Sequence, residues 1–585
     1  MPLFQPFQPT QTYDDHRKET KLLLNPCENK YEYLDEQSRA IMLKTIGFFE
    51  QKGKKKLKSD YHDKVWYADF IEFIKKEKIF STLLTPSACG VGSCRWDTFR
   101  NCAFNEILGF YGLPYWYTWQ VTILGLGPIW MSSNEAVKKK TVRLLEEGGI
   151  FAFGLSEKAH GADLYSSEMA LTPLGGGRYV ADGGKYYIGN ANEAALVSTF
   201  GKDSESDDYV FFVVDPKHEN FDLVQNVVSS QNYVAEFGLQ GYPVTDADIL
   251  SRGREAWDSS LNTINIGKYN LGWASIGICT HAFYEAITHA SNRILYGTHV
   301  TDFPHIRQLF VDAYTRLAAM KLFALRNADY IRAAATGDRR YLLYTPMTKM
   351  KVTTQGEEVI NLLWDVIAAK GFEKDMYFEM AAQDIRALPK LEGTVHVNMA
   401  LIIKFMANYF FNPGEFPEIG QRNGTEDDSF LFNQGPTRGL GKIRFHDFNI
   451  AYNSIDLPNL TVFKEQITVL QKLLMTAPPE KDQQKDIDFL LILGELFTLV
   501  AYGQLIIENA KIYRIEDEFV DQIFDYMVRD FSKFALQLYS KTSSTGAQMD
   551  ICMQMIKKPV QDPERFNRIW EKYVAPLNGA YEMNL

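Results

Sequence analysis

The residues best suited to chemistry in this chain lie at Leu391-Glu392-Gly393-Thr394-Val395-His396. A carboxylate there can act as a positioned base, the Gly lets backbone approach a ligand closely, and the Thr adds a hydroxyl. Glu-Gly-Thr alone is a common loop sequence. A second segment gives it weight: Phe153-Gly154-Leu155-Ser156-Glu157-Lys158-Ala159-His160-Gly161-Ala162-Asp163. A strand that emerges into Ser156 and a turn of small residues leaves N–H groups and a hydroxyl for a ligand edge. Further on, Gly184-Lys185-Tyr186-Tyr187-Ile188-Gly189-Asn190-Ala191 sets an aromatic beside small residues, a combination able to cover a flat ring. Taken singly, these two segments read more readily as a strand followed by a tight surface turn and as a β-strand aromatic in the core.

In this order and spacing they resemble the flavin site of the acyl-CoA dehydrogenase family. The family pattern is Thr-Glu-Pro, two variable residues, Gly-Ser-Asp, then Trp-Ile-Thr-Asn. Ser156, Glu157, Gly161, Asp163, Ile188 and Asn190 fit it, and Tyr187 replaces the Trp. Arg293-Ile294-Leu295-Tyr296-Gly297 resembles the family's Arg-x-x-Phe-Gly, Gly371-Phe372 the end of its Gly-Gly-x-Gly-Phe turn, and Glu392-Gly393-Thr394 completes the set. The resemblance covers residues 80–412 and has departures. Lys158 stands for the Pro, Ala162 for a Ser that often touches acyl-CoA, and Gly189 for a Thr that commonly hydrogen-bonds the flavin. Ala368-Ala369 replaces two glycines, Asp365 a Gln that often contacts the partner's FAD, and His396 another Gln.

The resemblance implies FAD-dependent dehydrogenation of an acyl-CoA thioester to the trans-2-enoyl-CoA, of the fatty-acid β-oxidation type. It makes Glu392 the base that removes the α-proton, with the enolate oxygen held by the backbone N–H of that Glu and a ribityl hydroxyl of FAD. It assigns FAD contacts to Phe153, Leu155, Ser156, Gly161, Tyr187, Gly189, Arg293, Thr394 and His396. Substrate contacts fall to Ala162, Lys268, Leu391 and Gly393, and no metal is implied. Electrons pass to an electron-transfer flavoprotein, and in a homodimer Arg293 reaches the neighbouring subunit's FAD, a task suited to a guanidinium fork. Two alternatives stay open: a flavin oxidase reoxidised by O₂ on the same fold, and a non-catalytic binding or assembly protein. Glu392 argues against the second, whereas Gly189 and Ala162 keep it in play.

The elements that must position these residues alternate along the chain. Residues 1–150 read as helical, with apolar residues at helical spacing in Tyr31 to Gln51, a charged amphipathic stretch from Asn134 to Glu147, and aromatics crowded between Phe110 and Trp130. Residues 151–255 read as β, with a hairpin around Pro173-Leu174-Gly175-Gly176-Gly177. Helical period returns over 256–412. Leu309, Ala313, Leu317, Met320 and Ala324 share a face there, Glu357 to Lys370 is a helix with Gly371 as its cap, and Pro413 stops the last helix. Residues 413–460 are an irregular connection, long enough to lie over another domain, and 461–585 are helical again. Gly439-Leu440-Gly441-Lys442 fails the spacing of a phosphate loop. The expectation is an α+β protein with the family's helical, β and helical-bundle domains plus a C-terminal helical domain.

Bulk properties narrow the class. At 585 residues the chain exceeds what one core serves, and a net charge of −11 excludes a general nucleic-acid binder. The run Lys52-Gly53-Lys54-Lys55-Lys56-Leu57-Lys58 reads as a solvated helix face. Six cysteines without Cys-x-x-Cys spacing read as buried reduced thiols. The polar N-terminus, Met1 to Thr20, lacks the apolar stretch of a signal peptide, so a cytoplasmic protein is expected. Phe489 to Ile507 is long and apolar enough to test as a membrane span, but Glu495 and Gln504 interrupt it and favour a buried helix.

Overall fold

A computed structural model describes residues 22–161 and 163–585. Six helices between Glu36 and Glu146 precede an eight-stranded mixed sheet, and helices return from Gly253. The strands are β1 (Ile150–Gly154), β2 (Ala170–Gly175), β3 (Arg178–Gly189), β4 (Ala194–Asp203), β5 (Tyr209–Val214), β6 (Phe221–Asn226), β7 (Val234–Thr245) and β8 (Ile249–Arg252). They run in the order β6-β7-β3-β2-β4-β5-β8, with β1 parallel to β4. The β2–β3 hairpin turns where three consecutive glycines, 175–177, all take positive φ. Alternation along β1 divides two cores. Ala152 packs into the sheet's own cluster, while Phe151 and Phe153 face the helices and join the main cluster.

That main cluster extends from Leu22 to Met583, so the N-terminal helices, the bundle and the C-terminal helices share one apolar interior. The Ile487–Ile512 helix, which carries the long apolar run, lies inside it and has most of its apolar stretch buried. Its polar residues have protein partners. Glu495 sits 3.6 Å from Lys351. Gln504 donates to Glu508 at 2.7 Å and accepts from Tyr409. Glu508 also accepts from Arg326 at 2.8 Å and Tyr330 at 3.0 Å, and pairs with His446 of the irregular connection at 3.0 Å. The Arg326 and His446 charges hold the Glu508 carboxyl well below its ordinary range. One buried knot therefore ties the bundle, the connection and the C-terminal helices together.

Two expectations are corrected here. The lysine run is only in part a solvated face: Lys55 and Lys56 are exposed, but the Glu36–His62 helix kinks at Gly53 and turns Lys52, Lys54 and Lys58 onto carboxylates. Lys52 bridges Asp60 and Asp69, Lys54 reaches Glu285, and buried Lys58 pairs with Glu379. The C-terminal tail docks at the kink, where Lys54 N donates to Asn584 O at 2.6 Å. Nor is Gly371 the helix cap. The Thr353–Ile367 helix ends at Ala368, whose φ of 55° and ψ of −137° fall in a region suited to glycine. The cysteines are free: Cys102, Cys279 and Cys552 are buried, Cys89 and Cys94 are part-exposed, and Cys27 is exposed.

Candidate active site

Helices, the ends of β1 and β3, and the turn at Glu392 enclose a cavity of about 870 Å³. The Leu113–Met131 helix is buried along nearly its whole length, and its Tyr117, Val121 and Leu124 line the cavity at helical spacing. The Gly253–Asn292 helix adds Trp257, Leu261, Ile264 and Lys268, again on one face. The sheet supplies Phe153, Leu155, Ser156, Tyr187 and Gly189. Opposite come Leu391, Glu392, Gly393 and Thr394.

The turn that carries Glu392 is held tightly. Glu392 and Gly393 take φ of 53° and 87°, so a non-glycine residue sits in the left-handed region, a conformation that persists only where its surroundings impose it. Lys349 donates to Pro389 O at 2.7 Å and to Gly393 O. Asn398 donates to Gly393 O and Thr394 O, both at 3.0 Å, and Thr394 caps the Val395–Ile402 helix. Lys349 itself lies in a π-helical turn, Thr348–Val352, a local irregularity that often marks functional sites.

Glu392 Oε1 accepts from Gln120 Nε2 at 2.6 Å, whereas Oε2 is buried and has no protein partner. Burial pushes the Glu392 carboxyl up to about 7, against the opposing pull of Gln120, Lys349 and Lys268. Burial likewise brings the Lys268 ammonium down to about 8 and Lys349 down to about 7, opposed in each by the Glu392 charge. Gly267, next to Lys268, is needed for this packing: a Cβ there would lie 2.7 Å from Gln120 Nε2 and 3.2 Å from Glu392 Oε2. Among the described residues Glu392 is the only carboxylate lining the cavity, against Arg254, Lys268, Arg339, Lys390, Lys404 and Arg438.

The irregular connection roofs the cavity through Thr437, Arg438 and Leu440. Asp258 holds it down, accepting from Thr437 N at 3.0 Å and Thr437 Oγ1 at 2.7 Å. Asn262 Nδ2 donates to Gly435 O at 2.9 Å beside it. Of Gly439 to Lys442, which failed as a phosphate loop, Leu440 lines this roof.

Of the residues expected at the site, Glu392, Phe153, Leu155, Ser156, Gly161, Tyr187, Gly189, Thr394, Lys268, Leu391 and Gly393 all line this cavity. Three do not join them. His396 is exposed and outside the lining. Arg293 lies at the far end of the Gly253–Asn292 helix, beside the small Ile294–Leu295/Thr298–His299 ribbon. Ala162 lies outside the described residues. Ser156 differs in detail, because its hydroxyl donates to Tyr186 O at 2.7 Å instead of standing free. Gly189 has a local reason: a Cβ there would meet Tyr117 at 2.6 Å and Val121 at 2.8 Å, so Tyr117 occupies the space a threonine would need. Glu157 and Asn190 are structural. Buried Glu157 accepts from Lys185 at 2.7 Å and from Ser167 and the backbone of the turn. Asn190 Nδ2 ties Phe151 O to Thr118 O. Sequence reasoning missed Gln120, Lys349, Tyr117 and the 437–440 roof. A single amide inside an otherwise apolar helix was a usable signal for Gln120.

The family model for "Acyl-CoA dehydrogenase, C-terminal domain" matches residues 255–407, the stretch that carries Lys268, Lys349 and Glu392. Residues 255–407 therefore resemble the C-terminal domain of acyl-CoA dehydrogenases. The chain is 23% identical over 295 residues to the 3-(aryl)acrylate reductase of Clostridium sporogenes, covering 48% of this chain and 75% of that one. It is 22% identical over 292 residues to an acyl-CoA dehydrogenase of Bacillus subtilis, covering 49% and 76%. An acyl-CoA dehydrogenase from Bacillus anthracis, solved with FAD, superposes with a TM-score of 0.71 at 14% identity over 96% of this chain and 97% of that one. Butyryl-CoA dehydrogenase from Megasphaera elsdenii gives 0.56 at 19% identity over 63% and 97%. The first of these structures shows that the family fold occurs with C-terminal helices like those here. The family's enzymes are oxidoreductases acting on CH–CH groups, and solved members carry FAD or its reduced form.

Proposed function

We propose that this protein is an FAD-dependent acyl-CoA dehydrogenase that converts an acyl thioester to its trans-2-enoyl product, with Glu392 as the α-proton base. The observation that carries the reading is the Glu392 carboxyl itself: buried, the only acid in the cavity lining among the described residues, and raised to about 7. A general base works best when its pKa lies near the working pH. The residues present fit a flavin. A cavity of about 870 Å³ has one wall of sheet-end backbone and aromatic side chains, faced across the space by Glu392 with an orphaned Oε2.

The reaction divides simply. FAD, when bound, supplies the acceptor for the hydride that leaves Cβ. Phe153, Leu155, Ser156, Gly161, Tyr187 and Gly189 would hold its ring, with Thr394 at the opposite side. Glu392 takes the proton from Cα, and the electrons of that C–H bond form the new C=C bond as the hydride departs. The Glu392 N–H is suited to the thioester oxygen, where charge develops. Lys268 and Lys349 supply positive charge that favours the ionised, competent form of Glu392. Leu124, Leu261 and Ile264 give the acyl chain an apolar wall. The cationic rim of Arg254, Lys390, Lys404 and Arg438 suits the phosphates of a carrier arm.

The same proposal covers a soluble cytoplasmic homodimer in which Arg293 completes the neighbour's FAD site, an electron-transfer flavoprotein as acceptor, and division of the chain at 150, 255, 412 and 460. The exposed Ile294, Tyr296 and Phe372 support it as apolar surface near Arg293 and the Ala368 turn. The test is anaerobic titration of the purified flavoprotein with acyl-CoAs of increasing chain length. Bleaching of the flavin by one length class supports the dehydrogenase. Peroxide release on admitting air would instead mark an oxidase, and no bleaching by any thioester would overturn the proposal.

A further inference from the structure

We infer that a one-way hydrogen-bond relay, from the Trp116 and Trp119 indoles through Asn105 and Asn270 to Gln120, makes Gln120 an obligate N–H donor to Glu392 and leaves Oε2 as the oxygen that takes the proton. The inference rests on Glu392 being the base. Trp116 Nε1 and Trp119 Nε1 both point at Asn105 Oδ1, at 2.8 and 3.1 Å. Asn105 Nδ2 donates to Asn270 Oδ1 at 2.8 Å and to Asn101 O at 2.7 Å. Asn270 Nδ2 donates to Gln120 Oε1 at 2.8 Å. Gln120 Nε2 donates to Glu392 Oε1 at 2.6 Å and to Gly267 O at 3.1 Å. The two indoles and three amides are fully buried.

An amide side chain can face either way, because its oxygen and nitrogen have the same shape. The direction of this chain is nonetheless fixed at its source. An indole N–H is donor only, so two of them converging on one atom require a carbonyl oxygen there. That choice places Asn105 Nδ2 toward Asn270, and its two N–H groups both find carbonyl-type acceptors. Asn270 must then present its oxygen to Asn105 and its nitrogen to Gln120. Gln120 in turn presents its oxygen to Asn270 and both N–H groups to Glu392 and Gly267. Reversing any amide would set donors against donors inside the core, where nothing else can satisfy them.

The consequence at the base is specific. A donor held on Oε1 favours the ionised carboxylate against the burial that opposes it. It also occupies Oε1, so the buried Oε2, which has no partner among the described residues, is the oxygen left to take the substrate proton. Gln120 is therefore a positioning residue whose effect depends on side chains far from the reacting carbon.

The experiment is a pH titration of Glu392 in the flavin-loaded enzyme by infrared difference spectroscopy with ¹³C-labelled glutamate, using Glu392→Gln to identify its band. Gln120→Leu keeps the bulk and removes the donor. It should move the Glu392 midpoint upward by about tenfold in proton concentration, the scale of one strong hydrogen bond to the charged form, with flavin content unchanged. Trp116→Phe combined with Trp119→Phe frees the relay at its source and should move the midpoint in the same direction by less. If Gln120→Leu does not fold, the indole variant carries the test alone. An unmoved midpoint in a folded, flavin-bound variant overturns the relay. This failure is distinct from that of the base assignment, which would show as flavin bleaching retained in Glu392→Gln.

Discussion

The Glu392→Gln substitution should make the protein more stable, and the gain should grow with pH. An ordinary glutamate titrates near 4.5, and burial holds Glu392 at about 7. Its folded pKa is raised, so the native state pays nothing for it below 4.5 and loses stability progressively up to about 7. The full gap corresponds to about 3 kcal/mol. Two neighbours reduce what the variant recovers, because Lys268 and Lys349 lose a counter-charge. That loss is small at pH 8, where Lys349, near 7, is mostly neutral and Lys268, near 8, is half neutral. The expected gain is about 2 kcal/mol at pH 8 and falls below about 1 kcal/mol at pH 5, where folded Glu392 is protonated and an ordinary glutamate is only beginning its ionised range. Urea unfolding of both proteins at saturating flavin, at pH 5, 6.5 and 8, measures it. A variant less stable than wild type at pH 8, or a gap independent of pH, would refute the claim that this carboxylate is kept at a cost for its chemistry.

Three further expectations come from the same structure. Ala368→Gly should stabilise by about 1 kcal/mol, since Ala at φ 55° and ψ −137° stores about 1–3 kcal/mol of strain, offset in part by glycine's entropy; chemical denaturation that shows destabilisation would contradict it. Gly189→Thr should lower flavin retention, because its Cβ meets Tyr117 at 2.6 Å, and adding Tyr117→Ala in the same chain should recover it; absence of recovery would place the fault elsewhere. Arg293→Ala should weaken flavin retention more than folding if the residue completes a neighbour's site, and an active monomer by light scattering would exclude that contact.

What the sequence disclosed followed from local chemistry. Glu392-Gly393-Thr394 was readable as a site because a second segment, Phe153 to Asp163, gave weight to a common loop sequence and a helix follows at once. The β2–β3 hairpin was readable because three glycines meet the positive φ the turn demands. Gln120 was hidden by distance: its partner Glu392 is 272 positions away, and nothing in the Phe110–Trp130 run indicates which helix face meets that turn. Lys349 and the 437–440 roof were hidden for the same reason. The lysines at 52–58 looked solvated because their acidic partners, Asp69, Glu285 and Glu379, come from later helices. Ala368 was misplaced because the fold overrides the local preference of alanine, a conflict that single-residue propensity does not reveal.

The most direct test of the account is the rate at which an acyl-CoA bleaches the bound flavin under anaerobic stopped flow, in wild type and in Glu392→Gln. Removal of a general base costs about a hundredfold or more. The account predicts that the variant binds flavin as tightly as wild type, stays yellow on mixing with substrate, and bleaches at least about a hundredfold more slowly. Bleaching at a near-normal rate would contradict it and move the base away from Glu392.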